Sequence, residues 1–326
     1  MNKKNILQVL LLIIVIVVAA TLHFNKKYSV TKQEFLLDTI VEITAVSKNE
    51  NVDKIIDDAF NLMKELEIKY SYHQQNSELQ KINQVSEIEI DGELYEILQA
   101  AETIYFQSDE LYDVSIGALT DLWDFENGII PTPNELKNAN YGFEKISLSA
   151  TKLTKPSNLK INLGSIAKGF IVDEVVQYLQ TNGVLSGIVN GGGDMRIFGK
   201  SKAIKIGIQH PRKAQNEIIS ILNIQNSAIV TSGDYERFFM QDGKRYHHIL
   251  NPKTGFPADN AVSVTVISAN AMLADAYSTA LFLMPNVDAM KLVEKTKDLE
   301  CIIFYESDGV LQNVQSSGMK KYILEF

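Results

Sequence analysis

The chain contains the stretch Asn162-Leu-Gly-Ser-Ile-Ala-Lys-Gly169, in which a predicted strand runs through a tight turn into a predicted helix. The strand covers residues 159–163, and apolar spacing over residues 171–179 indicates the helix. Backbone N–H groups at a helix start bind anions, and Gly164 lets a ligand approach closely. Lys168 opposes the helix dipole there, so a bound anion is expected. The stretch is neither a Walker loop nor a dinucleotide fingerprint, and a plain strand–helix connection with a surface lysine is the alternative.

The composition limits the classes of protein to which the chain can belong. The chain has 326 residues, of which 45% are apolar and 22% charged, enough for one large domain or two small ones. Its net charge of −9 argues against nucleic-acid binding, because an acidic surface repels phosphate backbones. The single cysteine, Cys301, can form neither an intramolecular disulfide nor a thiolate metal cluster, and it is predicted to lie in a buried strand.

The N-terminus differs from the rest of the chain. Lys3 and Lys4 precede an apolar run over residues 9–22, which is short for a membrane span but fits a signal peptide or signal anchor. We therefore predict that residues 1–27 are such a segment and that residues 28–326 form a globular domain outside the cytoplasm. That domain is expected to be anchored to the membrane, or secreted if the segment is cleaved. A buried core helix is the alternative.

The order of predicted elements favours the α+β class. One strand is predicted over residues 35–45, and most other strands follow one another in series after the central helix, rather than alternating with helices as in a parallel fold. The predicted helices cover residues 51–70, 92–107 and 271–284. The later predicted strands cover residues 184–190, 195–198, 203–208, 217–224 and 261–268.

Asp275 and Thr279 are a candidate metal pair, because they lie four residues apart on one face of the predicted helix 271–284. A carboxylate and a hydroxyl are hard oxygen donors of the kind that suits Mg²⁺. The alternative is that Thr279 bonds back to the carbonyl of Asp275. The neighbours of Asp275 are mostly apolar, however, and a buried charge needs a partner or a metal.

Two further motifs are polar. The stretch Asn190-Gly-Gly-Gly-Asp194 predicts a wide turn or a close ligand approach, with a simple hairpin as the alternative. His247 and His248 are adjacent on a predicted strand and point to opposite faces, so at most one of them faces a given site. That spacing argues against a metal clamp made of two histidines.

Taken together, these motifs resemble the FAD:protein FMN transferase family, also called the ApbE flavin transferases, over nearly the whole globular region. The matching segments occur in the same order and include Phe35-Leu-Leu-Asp-Thr39, Tyr112-Asp-Val-Ser-Ile-Gly117, Ala274-Asp-Ala-Tyr-Ser-Thr279, and residues 71–72, 76–79, 122–123, 162–169, 190–194, 231–237 and 247–257.

The resemblance implies a single T-fold-like catalytic unit of mixed or antiparallel sheets flanked by helices in residues 28–326. It implies an enzyme that cleaves FAD with Mg²⁺, joins FMN to a threonine or serine of a target flavoprotein, such as a membrane redox-pump subunit, and releases AMP. The implied metal ligands are Asp275, Thr279 and the backbone carbonyl of Ser165. The residues implied to contact FAD are Leu37, Tyr72, Leu111, Tyr112, Asp113, Asn162, Lys168, Asp234, His248 and Ile249.

Some questions stay open at this level. The general base that takes the proton of the incoming hydroxyl is either His248 or Asp275. Leu37 stands where the family often has methionine, and Asn162 stands where it usually has aspartate. The alternative functions are an FAD pyrophosphatase, which forms FMN and AMP, and a non-catalytic FAD-binding protein.

Overall fold

The computed structural model describes residues 26–214 and 217–325, together with residues 5, 8, 10–14 and 16. Much of the predicted N-terminal segment lies outside the described residues, so the prediction for residues 1–27 stays a prediction. In the part of the chain that is described, no helix combines the length and the apolar character needed to cross a membrane.

An antiparallel sheet of eight strands forms the centre of the fold. From one edge to the other, its strands are β1 (Tyr28–Leu36), β2 (Thr39–Ser47), β6 (Val184–Gly191), β7 (Asp194–Phe198), β10 (Ala228–Gly233), β13 (Ser263–Ser268), β14 (Glu300–Ser307) and β15 (Val310–Gln315). The strands predicted over residues 184–190 and 195–198 are confirmed. The stretch 190–194 between them is a hairpin turn, as in the simpler of its two interpretations.

Smaller sheets surround the central one. One contains β3 (Glu87–Glu89), β4 (Ser147–Ser149) and β5 (Lys152–Thr154), and another contains β8 (Ile204–Gln209), β9 (Ile218–Ile224) and β16 (Ile323–Glu325). A hairpin of β11 (Phe238–Gln241) and β12 (Lys244–His247) stands apart from both.

The helices of the globular region are α1 (Val52–Tyr70), α2 (Glu78–Asn83), α3 (Gly92–Gln107), α4 (Gly117–Thr120), α5 (Pro133–Asn138), α6 (Ala167–Thr181), α7 (Ala271–Leu283) and α8 (Asn286–Lys295). The long predicted helices are found, since α1 and α3 each bury one apolar face and α7 is buried on nearly all sides. Short 3-10 helices cover Phe143–Lys145 and Ser317–Lys321. The helices predicted over residues 51–70, 92–107 and 271–284 are all confirmed.

The central sheet is covered on both faces, which gives a three-layered α+β unit. Every residue of β13 is buried. Val264 and Val266 join the core that contains α1, α3, α6 and α7, whereas Ile267 packs in a second core with Leu222 of β9. Cys301 is fully buried in β14 on the helix side, as predicted. The α+β class with antiparallel sheets and flanking helices is therefore confirmed.

The prediction of one strand over residues 35–45 is wrong. The chain reverses at Leu37 and Asp38, which both have positive φ, and β1 pairs with β2 on either side of this turn. The Ile, Val and Thr pattern continues across the reversal, and the turn contains no glycine that would have marked it.

The predicted strand over residues 159–163 is also wrong, since this segment forms only a single parallel bridge, between Lys160 and Ile116. The side chain of Asn83 takes the place of a neighbouring strand. Its Oδ1 accepts the N–H of Ile161 at 2.7 Å, and its Nδ2 donates to the Ile161 carbonyl at 2.8 Å. The segment is therefore extended and buried without joining a ladder.

Helices α6 and α7 cross at Gly169, where their backbones come very close. A Cβ atom on Gly169 would lie 2.2 Å from the carbonyl oxygen of Ala271 and 2.8 Å from the Cβ of Asp275. Neither is the mobile end of a long side chain, so the two helices would have to separate. The crossing therefore depends on glycine at this position.

We expect Gly169→Ala to destabilise the fold by about 1–3 kcal/mol, because it overpacks this crossing. Gly92→Ala is the matched control, since Gly92 also begins a helix but has open space around its Cβ position. The control should be neutral or stabilising by about 0.4–1 kcal/mol. Urea unfolding measures both values, and equal stability of the two variants would contradict the prediction.

Candidate active site

Lys168 lies in the first turn of α6 and forms an ion pair with Asp194 at the start of β7. Its Nζ is 2.6 Å from Asp194 Oδ2, and the Asp194 side chain is only 4% exposed. Burial lowers the pKa of Lys168, but the attraction of Asp194 and Asp275 outweighs this and raises the pKa above its usual range. The anion that the sequence predicts beside Lys168 is therefore provided in part by the chain itself.

Asp275 of α7 caps the start of α6 from a neighbouring helix. Its Oδ2 accepts the backbone N–H of Gly169 at 2.9 Å, a favourable position for a carboxylate at a helix N-terminus. Burial raises the pKa of Asp275, and the charge of Asp194 adds to this, while Lys168 and the Gly169 N–H lower it. The net pKa is about 7. The buried carboxylates of Asp194 and Asp275 therefore both interact with Lys168.

Thr279 lies one helical turn after Asp275, and its hydroxyl points toward Ser232 of β10. The two hydroxyl oxygens are 3.4 Å apart. The bond back to the Asp275 carbonyl, which was the alternative for Thr279, is instead made by Ser278 at 2.8 Å.

Ser165 and Tyr112 meet on the other side of the start of α6. The Ser165 hydroxyl lies 3.1 Å from the Tyr112 phenol oxygen, and that phenol also approaches the Ser165 carbonyl at 3.4 Å. Tyr112 is fully buried. Its pKa is raised by burial first and then by the negative charges of Asp275 and Asp113. The phenol therefore stays protonated and lies within electrostatic reach of Asp275.

The predicted magnesium ligands fit a hard dication. Asp275, Thr279 and the Ser165 carbonyl offer only oxygen atoms, which is the donor chemistry that Mg²⁺ prefers. Burial first, and then the charge of Asp194, raises the pKa of Asp275, and a bound cation would favour its charged form. The described residues contain no cluster of three or more His, Cys, Asp or Glu side chains that could hold a metal, so an ion here would rely on neutral oxygens and substrate.

The two histidines diverge as the sequence predicts. His247 is buried, and its Nε2 lies 2.9 Å from the Ala258 carbonyl. His248 is exposed, and its Nδ1 lies 3.3 Å from the Arg237 carbonyl. A carbonyl only accepts, so Nδ1 carries the proton and Nε2 keeps its lone pair.

The surroundings of the His248 imidazole lower its pKa. Desolvation lowers the pKa of His248, and the positive charges of His247, Arg237 and Lys168 lower it further. The neutral form therefore dominates at pH 7. The effect of Lys168 also shows that His248 lies within electrostatic reach of the Lys168–Asp194 pair.

The other residues predicted to contact FAD lie in different parts of the fold. Leu37 reaches the β6–β7 turn, since its Cδ1 lies 3.9 Å from the position of a Cβ on Gly191. Ile249 is buried directly after His248. The Asn162 side chain is used locally, because its Oδ1 accepts the Gly164 N–H at 2.9 Å. This bond shapes the turn that leads into α6.

Two predicted contacts have strong partners of their own. The Tyr72 hydroxyl donates to Asp121 at 2.8 Å. Asp234 accepts two bonds from Arg212, both at 2.7 Å, and Arg245 lies 3.3 Å away. Asp234 is thus the centre of an ion-pair network, and a ligand would have to share its carboxylate with two guanidinium groups.

A cavity of about 570 Å³ opens between the end of α3, the end of α7 and α8. Of the predicted site residues, only Leu111 lines it. The Lys168, Asp194 and Asp275 side chains meet elsewhere, at the start of α6, so the cavity volume does not identify the candidate active site.

Two acidic residues near the cluster were not indicated by the sequence pattern. Asp194 belongs to the quoted glycine motif, but nothing in the pattern showed that it would pair with Lys168. Glu236 follows β10, and its pKa is raised by burial first and by Asp194, while Lys168 lowers it, which places Glu236 near the same cluster. The Lys168–Asp194 pair joins distant segments, so local spacing could not reveal it.

The fold therefore gathers two carboxylates around one lysine at the start of a helix. The chain belongs to the ApbE family, whose family model matches residues 37–303. The predicted family is therefore confirmed.

Relatives and solved structures of this family resemble the whole globular region. An FAD:protein FMN transferase of Vibrio cholerae is 31% identical over 276 residues, which cover 80% of this chain and 82% of the relative. A protein of the same name from Treponema pallidum is 28% identical over 314 residues, covering 87% of this chain and 86% of the relative. The ApbE protein of Thermotoga maritima has a crystal structure that matches with a TM-score of 0.78 and 33% identity, covering 90% of this chain and 98% of that one.

Asp113 gives a pH-dependent prediction. Burial raises the pKa of Asp113 to about 6 from 3.8, although the carboxylate accepts the Ser115 N–H at 2.7 Å. Between these two pH values the folded chain binds more protons than the unfolded chain, so the contribution of Asp113 to stability falls as pH rises. Above pH 6 the loss is complete and amounts to about 3 kcal/mol at most.

We therefore expect Asp113→Asn to raise the free energy of unfolding at pH 7.5, because asparagine still accepts the Ser115 N–H but carries no charge. Below pH 3.8, where the Asp113 carboxyl is protonated in the folded and the unfolded chain, the substitution should change stability little. Denaturant unfolding at both pH values measures the difference. Asp109→Asn is the control, since the Asp109 side chain is exposed and should change stability by less than about 0.5 kcal/mol. A stabilisation by Asp113→Asn that does not depend on pH would contradict the argument.

Proposed function

We propose that this chain transfers FMN from FAD to a threonine or serine of a target flavoprotein and releases AMP. The observation that carries the proposal is the cluster of Lys168, Asp194 and Asp275 at the start of α6, in a chain whose relatives bear the name FAD:protein FMN transferase. In this proposal the cluster supplies the positive charge of Lys168 for a pyrophosphate and carboxylate oxygens for a cation.

Asp275, Thr279 and the Ser165 carbonyl would hold Mg²⁺. When bound, Mg²⁺ neutralises pyrophosphate charge as the phosphorus is attacked. The cap that Asp275 provides for α6 fixes its carboxylate, so that the ligand set is held in place before substrate arrives.

Lys168 binds the pyrophosphate of FAD in this proposal. Its ammonium has three N–H donors, and Asp194 uses one of them, so that others remain for phosphate oxygens. About one third of the Lys168 side chain is exposed, which leaves it open to a ligand. Asp194 holds the lysine in position and keeps it charged.

His248 is the better candidate for the general base. It is neutral at pH 7, open to solvent, and has its Nε2 lone pair free, whereas Asp275 is buried and already accepts the Gly169 N–H. The oxygen of the incoming hydroxyl forms the new bond to the FMN phosphorus, and the bond to the AMP oxygen breaks. The hydroxyl proton passes to His248 Nε2, and the electron pair leaves with AMP.

We also propose that the enzyme acts outside the cytoplasm. The apolar run over residues 9–22, preceded by two lysines, supports an anchor or a cleavable signal at the N-terminus. The targets would then be flavoproteins that face the same compartment, such as subunits of membrane redox pumps.

The test is to incubate the chain, without residues 1–27, with FAD, Mg²⁺ and purified exported flavoproteins of the source organism. A covalent fluorescent band on a denaturing gel, with FMN located on a hydroxyl residue by mass spectrometry, is the expected result. Rapid AMP release without a target and with no band would instead identify a pyrophosphatase. Tight FAD binding with neither AMP nor a band would identify a binding protein.

We expect Asp275→Asn to lower the rate of transfer by at least about a hundredfold, because the charged ligand is lost while asparagine can still accept the Gly169 N–H. The variant should remain folded, which circular dichroism checks. Asp288→Asn, at an exposed position of α8, is the control and should keep full activity. Full activity of Asp275→Asn would exclude this residue from the reaction.

A further inference from the structure

Three hydroxyl groups meet between β10 and α7. The Ser232 hydroxyl oxygen of β10 lies 2.6 Å from that of Ser278 and 3.4 Å from that of Thr279, two neighbours on α7. Along β10, Ser232 alternates with Thr231, whose hydroxyl bonds to Thr265 on the other face of the sheet. Ser232 is thus turned toward α7, and the group of three hydroxyls begins one turn of that helix after Asp275.

The donor of each hydrogen bond in this group follows by elimination, because a serine or threonine hydroxyl has one proton. The Ser278 hydroxyl lies 2.8 Å from the Asp275 carbonyl, which only accepts, so Ser278 donates to it. The proton between Ser278 and Ser232 therefore belongs to Ser232. Ser232 has no second proton to offer, so Thr279 is the donor in the longer contact with Ser232.

This order of donors determines how the Thr279 oxygen is presented. A helical threonine commonly donates to the carbonyl four residues earlier, which here is that of Asp275, but this carbonyl receives the Ser278 hydroxyl. The Thr279 proton is directed to Ser232 instead, and the lone pairs of the Thr279 oxygen stay free. A hydroxyl binds a cation through a lone pair, so its proton needs an acceptor of this kind.

The sheet holds Ser232 in place. Strand β10 lies between β7 and β13, and Ser232 pairs directly with Val264 of β13, which is fully buried. The acceptor for the Thr279 proton is therefore carried by an interior strand rather than by a loop. A group that orients a ligand from a rigid element holds the geometry of a metal site before the metal binds.

We propose that Ser232 is a positioning residue for the cation site. It accepts the Thr279 proton and so directs the lone pairs of the Thr279 oxygen toward the cation that Asp275 helps to bind. Ser278 supports this role, because it receives the Ser232 proton and leaves Ser232 able only to accept from Thr279. The inference rests on the proposed function, in which Thr279 is a ligand of Mg²⁺.

The test titrates the protein with Mn²⁺, which replaces Mg²⁺, in the presence of saturating FAD and measures free Mn²⁺ by electron paramagnetic resonance. We expect Ser232→Ala to raise the Kd for Mn²⁺ at least about tenfold, because the Thr279 proton loses its acceptor. The variant should fold, since Ser278 keeps its bond to the Asp275 carbonyl. Ser232→Thr retains a hydroxyl and should bind Mn²⁺ more tightly than Ser232→Ala. The Kd for FAD without metal should stay within about twofold of wild type in both variants.

A double-mutant cycle distinguishes positioning from a general effect on the fold. Thr279→Val removes the ligand hydroxyl, and adding Ser232→Ala should then change the Kd for Mn²⁺ no further, because Ser232 acts only through Thr279. Thr231→Val is the matched control. It removes a hydroxyl of the same strand that bonds to Thr265 at 2.8 Å on the opposite face, and it should leave the Kd for Mn²⁺ unchanged.

An unchanged Kd for Mn²⁺ in Ser232→Ala would overturn the role of Ser232. An equal increase in the Thr279→Val background, or a Kd for Ser232→Thr no lower than that for Ser232→Ala, would do the same. If wild type transfers FMN but binds no Mn²⁺ with FAD, the positioning role fails and the transfer stands. If wild type binds Mn²⁺ in the expected pattern but flavinylates no acceptor, the proposed function fails and the role of Ser232 in the cation site is supported.

Discussion

The hydrogen bond from the Gly169 N–H to the Asp275 carboxylate both holds α6 against α7 and fixes a carboxylate in the candidate active site. It requires α6 and α7 to approach until only a hydrogen atom fits at position 169. It also places a buried carboxylate at the positive end of the α6 dipole. Ser165 and Lys168 lie at this same helix start, and Tyr112 reaches it from another segment by contacting Ser165.

Two buried carboxylates lie beside a single lysine in this cluster, which is an unfavourable arrangement in the absence of a further cation. Asp194 and Asp275 share Lys168, and desolvation keeps the pKa of Asp275 high. A fully neutral arrangement would be more stable on its own but would offer less to a cation. Apolar packing in the two cores on either face of the central sheet offsets the free-energy cost of burying these carboxylates.

The features that depend on residues close together in the chain could be predicted from the sequence. Apolar spacing predicted α1, α3 and α7, and the order of strands predicted the α+β class. The Leu37–Asp38 reversal was missed because its residues are unusual for a tight turn, and residues 159–163 were misread because Asn83 acts in place of a strand. The roles of Asp275, Thr279 and Ser165 came from resemblance, whereas the Lys168–Asp194 pair depends on tertiary contacts that no spacing rule contains.

The order of strands in the central sheet also governs when the protein can first become active during its synthesis. β2 pairs with β6, so Val41 finds its strand partner only after Gly191 has been synthesised. Gly169 likewise lies 106 residues before its hydrogen-bond partner Asp275. Such long-range pairing is slow because large loops must close first. A chain that emerges from the ribosome can therefore hold no complete site until α7 has followed it. The candidate site is thus one of the last parts of the molecule to be completed.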